Sequence, residues 1–267
     1  MQAHTPRRRF GQNFLTDRAV VAKIIAAIAP APEDHIVEIG PGPGALTEPL
    51  LQVLDTLDVI EIDRDLARAL LERFSPTKLH VHQADALTFD FSTLPSPLRV
   101  VGNLPYNISS PLLFRLAQYA ERLRDCHFML QREVADRMAA APGSKIYGRL
   151  SVMLQYRFQV EKLFKVAPGS FWPVPKVESA MVRLTPLGAQ RLRACDEAVF
   201  SRLVASAFSQ RRKTLRNALR DLVDESSFRA ARVDASLRAE ALPVHAFVRL
   251  ADALVSDARI SGPCAAE

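Results

Sequence analysis

The chain has 267 residues, 48% of them hydrophobic, with a formal net charge of +6 and a pI near 9.5. It is long enough and apolar enough to pack a core, and 18 prolines against 10 glycines without any internal period exclude collagen-like and low-complexity classes. Three scattered cysteines, Cys126, Cys195 and Cys264, exclude a disulfide framework and a paired C-x-x-C metal site. These cysteines fit a reducing cytosol, so a cytoplasmic protein without a metal is expected.

In chain order, Arg7, Arg8 and Arg9 are followed by a glycine-bearing loop rather than an apolar segment, which argues against secretion. Thr16 or Asp17 is placed to cap a helix whose apolar residues Val20, Val21, Ile24, Ile25 and Ile28 recur at helical spacing. This stretch is broken by Lys23 and ends at Pro30, too short to cross about 30 Å of hydrocarbon, so no membrane span is expected. Strand-like runs then follow at His35 to Gly40, Asp58 to Asp63, Leu79 to Asp85, Arg99 to Asn103 and His127 to Leu130, with helical stretches between them. That alternation predicts a doubly wound α/β sheet. Two further runs, Gln159 to Lys165 and Ala180 to Leu184, are expected to pair antiparallel at a sheet edge. Beyond Leu187 the pattern is helical, which predicts a catalytic domain over residues 1–187 and a smaller all-helical domain over 188–267.

The first strand of the α/β region runs into Gly40-Pro41-Gly42-Pro43-Gly44. Glycines at such a turn let the backbone approach a ligand, and the helix that follows, expected from about Ala45, favours negative groups at its start. About twenty residues on, Glu61 ends the second strand, where nucleoside-binding sheets present a carboxylate to ribose hydroxyls. Asp85 ends the third, placed to accept a hydrogen bond from an adenine amino group. Gly40-x-Gly42-x-Gly44 departs from the G-x-G-x-x-G of pyrophosphate binders. The run resembles the first motif of class I methyltransferases, and that resemblance implies S-adenosylmethionine as cofactor.

The fourth strand ends in Asn103-Leu104-Pro105-Tyr106. Beside a methyl donor, the Asn103 side-chain oxygen and the Leu104 carbonyl can accept both hydrogens of an aryl amine and aim its lone pair; Pro105 stiffens the turn and Tyr106 can stack on a base. The loop from Ser170 to Pro175 offers Phe171 or Trp172 as a second aromatic wall. Residues 201–220 carry Arg202, Arg211, Arg212, Lys213, Arg216 and Arg220 without a carboxylate. Helical spacing sets Arg212, Arg216 and Arg220 in one stripe and Leu215, Leu219 and Leu222 in another, which predicts a phosphate-gripping helix face.

Residues Asn103 to Ser109 resemble the catalytic motif of the rRNA adenine N6-dimethyltransferases, Phe10 to Leu15 that family's N-terminal cofactor motif, and Ser209 to Asn217 the helical segment of its bacterial small-subunit branch. The resemblance implies cofactor contacts from Asn13, Leu15, Gly40, Glu61, Asp85 and Asn103, joined by Gly42 from the glycine turn, with Phe171 as the aromatic wall. It implies RNA contacts in the basic segment (Arg211, Arg212, Lys213, Arg216, Arg220). The implied substrate is a pair of adjacent adenosines in a hairpin near the 3′ end of small-subunit (16S) rRNA, each methylated twice on a pre-ribosomal particle during ribosome biogenesis. A monomer is expected. The alternatives are a large-subunit rRNA adenine methyltransferase and an RNA-binding assembly factor whose methylation is incidental.

Overall fold

The structure is a computed structural model that describes Arg7 and residues 12–260, with side chains described to residue 255. Phe10 and Gly11 of the N-terminal string, Arg8, Arg9 and Cys264 lie outside the described residues.

The first compact unit comprises residues 1–136 and 158–186. Its described part opens with a two-residue strand, β1 (Phe14–Leu15), and helix α1 (Arg18–Ile28), whose N-terminal amides of Ala19 and Val20 are capped by the Asp17 carboxylate. Next come β2 (His35–Ile39), α2 (Thr47–Leu51), β3 (Leu57–Glu61), α3 (Arg64–Arg73), β4 (Leu79–Gln83), β5 (Leu98–Asn103), α4 (Ser109–Gln118) and β6 (Leu123–Gln131). Helix α2 starts at Thr47, two residues after the expected start, because Gly40, Gly42 and Gly44 all hold positive φ and keep the intervening chain in turns. After α5 (Arg132–Met138) and α6 (Arg149–Gln155) the chain adds β7 (Phe158–Val166), β8 (Phe171–Trp172) and β9 (Ser179–Pro186).

Seven strands form one sheet in the order β4-β3-β2-β5-β6-β9-β7, and β1 pairs with β8 in a separate ribbon. The neighbours from β4 to β6 are parallel, while β9 runs antiparallel to both β6 and β7 and β7 is the edge strand, so the two late runs pair as expected. The chain steps outward from β2 to β3 and β4 and then returns to β5 on the other side of β2. A crevice therefore opens at the carboxyl ends of β2 and β5, where doubly wound sheets bind ligands. Gly102 lets those strands close up, because a Cβ there would stand 2.5 Å from the Ile39 carbonyl oxygen.

The second unit is discontinuous: residues 137–157 join 187–267. Residues 137–157, expected in the catalytic domain, pack instead with the helical unit, which takes up the chain again at Leu187. The reason is packing. Tyr147, Val152 and Tyr156 are buried in one apolar cluster with Phe200, Leu203, Val204 and Phe247, residues of α7 (Glu197–Ser209) and α10 (Val244–Ile260). Short helices α8 (Leu215–Ala218) and α9 (Glu225–Ala230) complete an all-helical unit.

The continuous basic helix expected through Arg220 is absent. Helix α7 stops at Ser209, and α8 contains only Leu215–Ala218. The amides of Leu215 and Arg216 are drawn to the carbonyls of Leu237 and Ala235 (2.7 and 3.0 Å), so the chain cannot run through as one helix. Leu215 and Leu219 are still buried, as the apolar stripe requires.

Candidate active site

A cavity of about 310 Å³ occupies the crevice of the sheet, within the range of about 300–1,000 Å³ usual for small-molecule sites. Its walls are the ends of successive strands: Gly40 and Gly42 after β2, Glu61 and Ile62 at β3, Ala84 and Asp85 after β4, and Asn103 to Ile108 after β5, with Gln12 to Phe14 across the opening. Gly40, Gly42, Glu61, Asp85 and Asn13 therefore meet in one place with Asn103, Leu104, Pro105 and Tyr106, although 90 residues separate Asn13 from Asn103.

Glu61 is buried and accepts from the amides of Asp63 (2.8 Å) and Gly42 (3.2 Å). Burial pushes its carboxyl above the usual carboxylate range, against those two amides, which favour the charged form. Each carboxylate oxygen has a second lone-pair site for a ligand hydroxyl. Asp85 holds the Leu87 amide at 2.8 Å, which fixes one oxygen and orients the other. Within β2, Glu38 is buried and receives the Thr47 hydroxyl at 2.6 Å; burial pushes its carboxyl up to about 8.

On the acceptor side, the Asn103 side-chain nitrogen donates to the Asn13 carbonyl at 2.8 Å. A carbonyl can only accept, so this contact must come from Nδ2, and Oδ1 becomes the amide's acceptor atom at the cavity. The Tyr106 hydroxyl shares a 2.9 Å hydrogen bond with Ser179, and burial raises the phenol above its ordinary value, so the ring stays neutral. The Pro105 carbonyl is engaged by the Ile108 amide and the Ser109 hydroxyl, which closes the turn into α4.

Two expected contacts are not brought to the cavity. Leu15 and Phe171 are opposite one another in the β1–β8 pair, and both side chains are buried in the apolar core with Met129, Val166 and Met181. Strand alternation is the cause: Phe14 faces the cavity, so its neighbour Leu15 faces the other way and carries its partner Phe171 with it. Trp172 neither packs in the core nor lines the cavity; it is 52% exposed. Phe14 itself escaped the sequence reading, as did Ile62 and Leu66, which also line the cavity. The alternation of Phe14 and Leu15 was the available signal.

The residues fit S-adenosylmethionine on three counts. A Cβ on Gly42 would stand 3.0 Å from the Phe14 ring, so the glycine keeps ligand space open beneath that ring; Glu61 and Asp85 supply two carboxylates at neighbouring strand ends; and Ile39, Ile60, Ile62 and Leu66 supply apolar walls. The family model for ribosomal RNA adenine dimethylase matches residues 3–255. The chain belongs to this family. It is an α/β methyltransferase that depends on S-adenosylmethionine.

Its relatives include the ribosomal RNA small subunit methyltransferase A of Aromatoleum aromaticum, 58% identical over 94% of both chains. The protein of that name from Chromobacterium violaceum is 54% identical over 95% of this chain and 97% of the relative. Among solved structures, a dimethyladenosine transferase from Plasmodium falciparum superposes with a TM-score of 0.76 at 27% identity, over 89% of this chain and 95% of the other. The 23S rRNA methyltransferase ErmE follows with a TM-score of 0.70 at 28% identity, over 91% and 100%.

In the helical unit the basic residues divide by partner. Arg211 donates to the carbonyls of Lys145 (2.7 Å) and Tyr147 (3.3 Å) and pairs with Glu240 at 3.4 Å. Arg216 pairs with Glu225 at 2.9 Å and Arg220 with Asp221 at 3.6 Å. Carboxylates missing from residues 201–220 are thus supplied by Glu225 and Glu240 of later segments and by the adjoining Asp221, which corrects the expectation of an unopposed basic stripe. Arg212 and Lys213 are exposed and make no ion pair among the described residues.

Proposed function

We propose that this chain transfers methyl groups to N6 of two adjacent adenosines in a 3′-terminal hairpin of small-subunit rRNA, acting as a monomer on a pre-ribosomal particle in the cytoplasm. The observation that carries the substrate is the identity of 54–58% to proteins named ribosomal RNA small subunit methyltransferase A, over at least 92% of this chain. Identity to the 23S rRNA enzyme is 28%.

S-adenosylmethionine supplies a methyl group made electrophilic by its sulfonium. Glu61 would hold the ribose hydroxyls and Asp85 the adenine amino group of the cofactor, with Gly40, Gly42 and Asn13 lining its site. An adenosine extruded from its stack enters between Asn103 and Tyr106. Asn103 Oδ1, oriented by the Asn13 carbonyl, and the Leu104 carbonyl accept the two N6 hydrogens, so the nitrogen lone pair is turned toward the methyl donor. Neutral Tyr106 stacks on the base. Asn103 is no base, so the proton leaves after transfer, to water. Alignment and exclusion of water carry the rate enhancement. Arg212 and Lys213 are the side chains best placed to meet phosphate, with Arg211 and Arg216 engaged in pairs of their own and Arg220 exposed beside Asp221.

Labelled S-adenosylmethionine offered with undermethylated small subunits, large subunits or duplex DNA tests this reading. Label recovered as N6,N6-dimethyladenosine from small-subunit rRNA alone is expected; label in either of the other substrates would overturn the substrate.

A further inference from the structure

Trp172 is the chain's sole tryptophan. It is 52% exposed, and Val174 and Val177 in the same loop are 63% and 44% exposed, so a small apolar patch stands in water. Both ends of that loop are tied to the cavity. Trp172 is directly opposite Phe14 in the β1–β8 pair, and directly opposed side chains of an antiparallel pair share a face. Phe14 lines the cavity, so the indole stands on the cavity side of the ribbon. At the other end, Ser179 shares its hydrogen bond with the Tyr106 hydroxyl. Between these anchors Glu178 is paired with Arg132, which leaves Lys176 as the loop's exposed cation.

We propose that Trp172 stacks on a base of the RNA substrate adjoining the methylated adenosine, with Lys176 beside the intervening phosphate. The inference rests on the RNA substrate proposed above. An adenosine that leaves its stack strips one face from its neighbour, and an exposed indole on the cavity side of the ribbon replaces that face without reading sequence. The target base and its neighbour would then be held by different aromatic residues, Tyr106 within the cavity and Trp172 outside it.

The deciding experiment is steady-state methylation of undermethylated small subunits by the wild type, Trp172→Ala and Trp172→Phe. Trp172→Ala is expected to raise KM for the subunits about tenfold, with kcat and cofactor affinity within about twofold, and Trp172→Phe to restore most of the loss. An unchanged KM in Trp172→Ala overturns the proposal, as does failure of Trp172→Phe to rescue. Should Trp172→Ala lose cofactor binding, wild-type tryptophan fluorescence decides: quenching by a hairpin oligoribonucleotide carrying the adjacent adenosines upholds stacking, and an undiminished signal overturns it. A fluorescence change that follows protein concentration alone would assign the patch to self-association, also overturning it. If the wild type fails to methylate small subunits, the proposed substrate falls, and this inference with it.

Discussion

The side-chain nitrogen of Asn103 lies 2.8 Å from the carbonyl oxygen of Asn13, so the end of β5 is oriented by a residue 90 positions earlier in the chain. Asn103→Asp would set a carboxylate oxygen against that carbonyl and remove the force that turns Oδ1 to the cavity. Methyl transfer should fall by about 10²–10³-fold, the usual loss when a preorganised polar group is removed from a reacting centre. Single-turnover assays with bound cofactor would show it; activity within tenfold of wild type would remove Asn103 from the mechanism.

Gly42 holds φ at +56°, and a Cβ there would stand 3.0 Å from the Phe14 ring. Gly42→Ala should weaken cofactor binding by at least about tenfold, roughly 1.4 kcal/mol, in calorimetric titration. Gly148→Ala is the control, because its Cβ would meet nothing within 4 Å and its backbone is extended.

Gly102→Ala should act on stability. Its Cβ would press on the Ile39 carbonyl at 2.5 Å, and that atom is backbone in the adjacent strand. Urea unfolding should show a loss of about 1–3 kcal/mol from overpacking.

Glu38 sits in the core with its carboxyl pushed up to about 8 by burial. The folded protein thus holds a proton that the unfolded chain releases near its ordinary value of 4.5. Stability from this group is complete below that ordinary value and is lost as pH rises toward 8. Glu38→Gln keeps an acceptor for the Thr47 hydroxyl and should flatten this decline, leaving the variant the more stable of the two at pH 8.5. Chemical denaturation at pH 6 and 8.5 compares them, and parallel declines would refute the assignment.

Arg99 is buried and bridges Asp34 at 2.6 Å and Asp125 at 2.9 Å. Burial alone would push both carboxyls up, but the Ala31 amide and Arg99 at Asp34, and His127 and Arg99 at Asp125, hold them below the usual carboxylate range. Stability from these acids is present above the ordinary range and disappears as pH falls through their lowered values. Arg99→Met should cost about 3–5 kcal/mol near neutral pH, because two carboxylates are left without their shared cation. The loss should shrink in acid, and denaturation at pH 3.5 and 7 measures the difference.

Replacing Arg212 and Lys213 with Ala should lower the slope of log affinity against log salt by about 1 for each charge that meets phosphate. Arg216→Ala should change the slope less, since Glu225 already neutralises it. Equal slopes for the wild type and the double variant would exclude these two side chains from the RNA interface.

Local chemistry made much of this protein legible from the amino-acid order alone. Alternating strands and helices announced the doubly wound sheet, and Gly40, Gly42, Glu61, Asp85 and Asn103 were found because each sits at the carboxyl end of a strand, where the topology itself places ligands. What spacing could not carry was decided by long-range packing. Leu15 and Phe171 turned into the core because a two-residue ribbon fixed which face each occupies. Residues 137–157 joined the helical unit because Tyr147, Val152 and Tyr156 are buried with Phe200, Leu203 and Phe247. The basic stripe broke up because the Leu215 and Arg216 amides found carbonyls some twenty residues downstream, while Arg211 and Arg216 found Glu240 and Glu225. Periodicity reports which face of an element is apolar; which partner covers that face, or neutralises a given charge, exists only once distant segments have met.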